Sequence, residues 1–187
     1  MHSKKPLNTK VVNLFGGPGI GKSYMAFEVC ANLKKEGFEV ELALEYAKDL
    51  VWQKRYETLR CQPYVFGKQL HKIETLLGQV DYIITDSPLL LSVIYGDLYS
   101  GKIEYGDLFQ ASIVQISKQI PSLNFLLSRK FGFVQNGRNE NLEESIAIDE
   151  RIKITLDNFG IQYYYDLDLN GIVDKIKEDK NEANMVD

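Results

Sequence analysis

The sequence predicts an α/β domain, a five-stranded parallel sheet flanked by helices with a short lid. Two observations carry this. Short β-rich runs alternate with helical stretches in the order β-α-β-α-α-β-α-α-β-lid-α-β-α, which calls for parallel pairing, right-handed crossovers and helices on both faces. The first of those runs also stops abruptly at a glycine cluster, after which the apolar period switches from strand to helix. A length of 187 residues suits one domain, and 44% hydrophobic with 26% charged residues excludes wholesale disorder.

Residues 1–10 are polar and read as a loose arm. Val11 to Phe15 is a compact apolar run bounded by Gly16-Gly17-Pro18-Gly19, as expected of a buried parallel strand. From Ser23, the residues Met25, Ala26, Val29 and Leu33 recur at helical spacing, and Gly37 caps the helix. Phe38 to Leu44 alternates apolar residues with Glu39 and Glu41 and reads as a second strand. Tyr46 to Arg60 reads as a single helix. Gln62-Pro63 interrupts, and a further helix runs from Tyr64 to Leu77 and ends at Gly78.

Tyr82 to Thr85 is the third strand, followed by a helix over Leu89 to Tyr99, a loop, and a helix from Asp107 to Gln119 that stops before Pro121. Leu123 to Leu127 is the fourth strand. Ser128 to Asn141 is polar, carries Gly132 and Gly137, and reads as a mobile lid. Leu142 to Asn158 is helical, Gln162 to Tyr165 is the fifth strand, and Gly171 to Lys177 is a short last helix. The charged stretch 178–187 reads as a frayed tail, which leaves 11–177 as the domain.

The formal net charge of −4 disfavours a protein devoted to wrapping duplex nucleic acid. Cys30 and Cys61 make neither a zinc pattern nor a disulfide framework, so a reduced, cytoplasmic setting is expected. The most apolar stretch, Pro88 to Tyr95, is far short of the roughly 20 residues of a membrane span.

Gly16-Gly17-Pro18-Gly19-Ile20-Gly21-Lys22-Ser23 matches G-x-x-x-x-G-K-[ST], the phosphate-binding loop of P-loop NTPases. Glycines let consecutive N–H groups curl inward around phosphate oxygens. The helix that follows aims its positive dipole end at the same anion. Nucleotide binding is thus expected along Gly17, Pro18, Gly19, Ile20, Gly21, Lys22, Ser23 and Tyr24. Lys22 would reach the β- and γ-phosphates of ATP and Ser23 would ligate Mg²⁺. Asp86 closes the third strand, where ligands gather in open α/β sheets, and is placed to hold Mg²⁺ or accept a proton. Glu45 follows the second strand at the same rim and is placed to orient or deprotonate an acceptor hydroxyl. Arg129 and Arg138 sit in the lid segment, where guanidinium groups would neutralise a transferring phosphoryl; Arg151 is a weaker candidate. The aromatics Tyr46, Trp52, Tyr56, Tyr64 and Phe66, interleaved with Lys54, Arg55 and Arg60, could stack a base or form core.

The P-loop, Leu44-Glu45-Tyr46-Ala47, Phe66-Gly67-Lys68-Gln69 and Ile84-Thr85-Asp86-Ser87 resemble the small P-loop kinases. The best-known member of that group is the ribosylnicotinamide kinase domain of bacterial NAD-biosynthesis regulators. Stand-alone phage-type versions, often labelled AAA-type ATPases or nucleotide kinases, are more similar still. They share the Asn136-Gly137-Arg138-Asn139 lid and the Glu143-Glu144 helix start. The resemblance spans roughly residues 11–177. It implies ATP with Mg²⁺, transfer of the γ-phosphoryl to a nucleoside-like acceptor, and roles for Lys22, Ser23, Asp86, Arg138 and, less directly, Glu45. After Asp86 this chain has Ser87-Pro88 where the regulators carry another acid or a Thr-rich stretch, so the acceptor stays open. The expectation is a monomeric or homodimeric kinase of a nucleoside, nucleotide or ribosylnicotinamide-like molecule. A kinase of nucleic acid (5′ end or hydroxymethylated base) and a nucleotide-dependent switch ATPase are the alternatives.

Overall fold

The computed structural model describes residues 8–98, 106–130 and 140–186. The elements are β1 (Lys10–Phe15), α1 (Lys22–Lys35), β2 (Val40–Leu42), α2 (Tyr46–Trp52), α3 (Tyr56–Arg60), α4 (Gln62–Leu76), β3 (Tyr82–Thr85), α5 (Leu91–Leu98), α6 (Gly106–Gln119), β4 (Ser122–Leu126), α7 (Leu142–Asn158), β5 (Tyr164–Tyr165) and α8 (Leu169–Val186). The five strands form one parallel sheet in the order β2-β3-β1-β4-β5.

Side chains alternate across a strand, so β1, β3 and β4 each feed two cores. Val11 and Phe15 of β1 join Ile83 of β3 in the core under α4, α5, α6 and α7, with Ile73, Ile94, Ile113 and Ile152. Val12 and Leu14 join Tyr82 and Ile84 on the other face, against α1 and α8, with Ala26, Val29, Leu33, Ile172 and Ile176. β1 is the central strand, and its carboxyl end therefore lies over the middle of the sheet. That is where the glycine cluster begins.

The structure corrects several expectations. The helix expected over Tyr46 to Arg60 is two helices. Lys54 takes a left-handed conformation (φ 56°), its N–H bonds to Val51 O at 3.0 Å, and Arg55 N bonds to Leu50 O at 2.9 Å. This is a Schellman end made by lysine, where glycine is the usual signal. Pro63 does not merely interrupt: it sits in the first turn of α4, where its missing N–H costs nothing. Of the arm expected over 1–10, residues 1–7 lie outside the described residues, while Thr9 is buried, its hydroxyl accepts from Gly78 N at 2.9 Å and donates to Val80 O, and Lys10 already belongs to β1.

The tail expected to fray from residue 178 instead continues α8 to Val186. Tyr82 Oη donates to Asp179 Oδ2 at 2.8 Å, Lys10 Nζ meets Asp179 Oδ1 at 2.5 Å, and Lys180 Nζ meets Asp81 Oδ1 at 2.5 Å. These contacts pin the last turns of α8 to the amino ends of β1 and β3. Deleting residues 178–187 will therefore lower stability by about 1–3 kcal/mol, because the Tyr82 hydroxyl keeps only the Ile176 carbonyl at 3.2 Å and Lys10 and Asp81 lose their charged partners. A urea melt checks this; an unchanged midpoint would return the segment to a passive tail.

Candidate functional site

The loop from Gly16 to Gly21 turns β1 into α1. Gly16, Gly19 and Gly21 have φ of 147°, 77° and 107°, conformations that residues with a side chain rarely adopt. The first α1 bond shown runs from Met25 N to Gly21 O (2.9 Å), so the N–H groups of Lys22 and Ser23 lie at the open, positive end of the helix. Lys22 Nζ folds back to donate to Gly16 O (2.7 Å) and Gly17 O (3.0 Å). Burial holds its pKa below the ordinary lysine value, against the opposing pull of Glu45, Asp86 and Asp149.

Asp86 is 3% exposed and uses both oxygens. Oδ2 accepts from Ser23 Oγ at 2.5 Å, and Oδ1 accepts from Glu45 N at 2.9 Å. The carboxylate thereby links β3, the start of α1 and the start of α2. Glu45 stands at the N-cap of α2 yet makes no side-chain capping bond. Burial raises its pKa above the ordinary carboxylate value; Lys22 opposes the shift and Asp86 adds to it.

Gln69 of α4 is buried and fastens this rim. Its Nε2 donates to Ala43 O (3.0 Å) and Thr85 Oγ1 (3.2 Å), and its Oε1 accepts from Tyr46 N (3.3 Å). Tyr46 and Tyr64 meet edge to face, with hydroxyls 3.0 Å apart, and Lys72 lies over the Tyr46 ring while donating to Leu44 O at 2.8 Å. The aromatic stretch thus divides: Phe66 is core, Tyr46 and Tyr64 border the rim, and Trp52 and Tyr56 are exposed.

Arg129 does not ride on a loose lid. Its Nε meets Asp149 Oδ2 of α7 at 2.6 Å, and Asp149 Oδ1 accepts from Gly17 N at 2.5 Å. Neighbouring Ser128 and Lys130 are tied to Asp166, and α7 begins with a full capping box between Asn141 and Glu144. Of the lid expected over 128–141, residues 131–139, Arg138 among them, lie outside the described residues. Arg151 pairs with Asp97 at 2.5 Å. Tyr24 presents a half-exposed ring on α1.

Two residues of this site went unread in the sequence. Gln69 sits in a noticed motif without a role. Asp149 had a usable signal: it lies one turn beyond Ser145, beside the buried stripe Ile148, Ile152 and Leu156, where an acid needs a partner.

Two features test whether these groups suit nucleotide phosphates and a magnesium ion. Arg129 Nη2 is buried beside the phosphate loop without a hydrogen-bond partner among the described residues, a state that a phosphate oxygen would relieve. Ser23 and Asp86 supply a hydroxyl and a carboxylate, the hard oxygen donors that Mg²⁺ prefers. Among the described residues no cluster of three or more His, Cys, Asp or Glu forms a metal cage. That fits an ion which keeps water and phosphate as its other ligands. The residues present therefore fit both groups. A separate cavity of about 520 Å³ lies on the sheet face over Asn13 and Asn124, and none of the P-loop residues lines it.

A family model described as an AAA domain matches residues 11–168. The chain belongs to this AAA domain family. Comparison with curated proteins gave no match. Among solved structures, this AAA domain is similar to the NadR protein in complex with NR. The TM-score is 0.61 at 15% identity, with 84% of this chain covered and 45% of that one. It thus spans less than half of that protein's length. It is also similar to deoxyadenosine kinase from M. mycoides, with dCMP product and dCDP bound. There the TM-score is 0.51 at 16% identity, with 92% and 99% covered. These likenesses establish the five-stranded P-loop fold.

One prediction concerns the loop itself. A Cβ added to Gly17 would lie 2.6 Å from Ser145 O and 2.7 Å from Asp149 Oδ1. The first is backbone of a packed helix and cannot give way cheaply. Gly17→Ala will lower stability by about 1–3 kcal/mol through overpacking and will weaken nucleotide binding. Thermal melts with and without MgATP check both; an unaltered melt would mean that α7 yields freely at this contact.

Proposed function

We propose that the chain moves the γ-phosphoryl group of ATP to a hydroxyl or phosphate of a nucleoside, nucleotide or ribosylnicotinamide-like small molecule. One observation carries the reading: two carboxylates share a rim but not a task. Asp86 has both oxygens committed to Ser23 and the Glu45 N–H, which suits holding rather than proton transfer. Glu45 has no capping bond, stands near Lys22, and has a raised pKa, which suits a base poised closer to neutral pH.

The chemistry follows from those placements. Lys22, the glycine N–H groups and Arg129 hold the β- and γ-phosphates. Ser23 and Asp86 would hold Mg²⁺, which when bound would offset phosphate charge. An acceptor oxygen beside Glu45 attacks the γ-phosphorus in line as the bond to the β–γ bridging oxygen breaks. Its proton passes to the Glu45 carboxylate, and ADP leaves. Catalysis of this kind is mainly positioning and electrostatics, which a rigid rim supplies. No helix among the described residues is long and apolar enough to cross a membrane. Cys30 and Cys61 are in no disulfide, in keeping with the cytoplasmic setting expected from sequence.

A nucleic-acid acceptor is the second reading. Residues 46–72 carry net charge +4 in a chain of −4, and exposed Trp52 and Tyr56 lie among those cations. The test uses γ-labelled ATP with nucleosides, nucleoside monophosphates, ribosylnicotinamide, and oligonucleotides with and without hydroxymethyl bases. Label on a small molecule supports the proposal. Label on oligonucleotides transfers it to the second reading, and label released only as inorganic phosphate overturns both in favour of a switch ATPase.

A further inference from the structure

We infer that Asp149 is a positioning residue that couples α7 to the phosphate loop and aims Arg129 at the bound nucleotide's phosphates. The inference rests on the phosphotransfer reading and adds to it a residue and a mechanical link.

Asp149 is the only carboxylate among the described residues shown with contacts to both partners. Its Oδ1 takes the Gly17 N–H at 2.5 Å, and its Oδ2 takes Arg129 Nε at 2.6 Å. Both side chains of the ion pair are largely buried, at 17% and 21% exposure, so the charges depend on each other. The way Arg129 is held matters more than that it is held. A bidentate grip would consume the outer edge of the guanidinium. Here the inner nitrogen carries the ion pair, and Nη2 is left buried with no hydrogen-bond partner among the described residues. The point where a Cβ on Gly17 would lie is 3.1 Å from that nitrogen, so it stands against the phosphate loop.

A buried guanidinium N–H without an acceptor is costly, and native proteins seldom keep one without reason. An anionic oxygen of a bound phosphate would complete it. Gly17 lacks a side chain at the one place where α7, Asp149 and Arg129 close on the loop, so the contact is built for close approach. Asp149 also bears on Lys22, whose charge it favours. One carboxylate thus sets the position of the loop backbone and of an arginine and supports the charge on the loop lysine.

A double-mutant cycle tests this, read as binding of a fluorescent ATP analogue with Mg²⁺, with melts to verify folding. Asp149→Asn keeps an acceptor for Gly17 but sets an amide donor against the Arg129 donor and removes the charge. It is expected to weaken binding about tenfold, and Arg129→Ala by a similar factor. The double variant should be no weaker than about twofold below Arg129→Ala alone, because Asp149 acts through Arg129. Additive losses, or binding by Asp149→Asn equal to wild type, would overturn the coupling while leaving the phosphotransfer reading intact. A wild-type protein that binds no nucleotide would instead overturn the reading beneath it.

Discussion

Lys22→Ala will reduce phosphoryl transfer by about 10³-fold or more while the protein still folds. In the structure the ammonium group bridges Gly16 O and Gly17 O, which holds the lysine at the loop. It is also the cation that Glu45, Asp86 and Asp149 all favour. Removing it deletes the charge that would follow the γ-phosphoryl and leaves the acids without their shared counterion. The loss therefore falls on transition-state stabilisation, since the fold's cores do not include Lys22. Single-turnover transfer from labelled ATP, with a circular dichroism spectrum as control, decides the matter. Undiminished turnover would remove the P-loop from the chemistry.

Glu45→Gln will lower kcat by about 10²–10⁴-fold and leave the KM for ATP within a few-fold. The amide keeps the size of the carboxylate and cannot accept the acceptor's proton. Its backbone N–H still bonds Asp86, so the rim keeps its shape. The pH profile gives a second reading of the same group. Burial raises the Glu45 pKa, so the protonated, inactive form persists to higher pH than for an ordinary carboxylate. The rate of the wild-type enzyme should fall as pH falls through that raised value, and the limb should vanish in Glu45→Gln. A limb at the ordinary carboxylate value, unchanged by the substitution, would disqualify Glu45 as the base.

What could be read in advance follows from how local each signal is. The P-loop, β1 and α1 are contiguous, and their period change and glycines are written within about two dozen residues, so they were legible. Glu45 and Asp86 were legible because a parallel sheet brings strand ends to one rim whatever their sequence separation. The division of roles between them was not, since it depends on which oxygens are already taken. Asp149 meets Gly17 across 132 positions, and nothing near either residue announces the other. The break at Lys54 escaped because a lysine, not a glycine, adopts the left-handed turn. The Lys-Glu-Asp run of α8 has the composition of a solvated tail, so sequence alone ends the helix near Lys177. Asp179 and Lys180 turn out to be the residues that dock it.

The docking of α8 bears on how the protein is made. Lys10 and Asp179 are 169 positions apart, and Tyr82 reaches the same acid across 97. Contacts of such high sequence separation slow the search for the native state, because loop closure must precede any gain. On the ribosome, the strand that leads into the phosphate loop emerges before α8, and the face that it shares with α1 is covered only in part until α8 follows. The nascent sheet thus stays incompletely covered until α8 is made, the interval in which a chaperone would have most effect on yield.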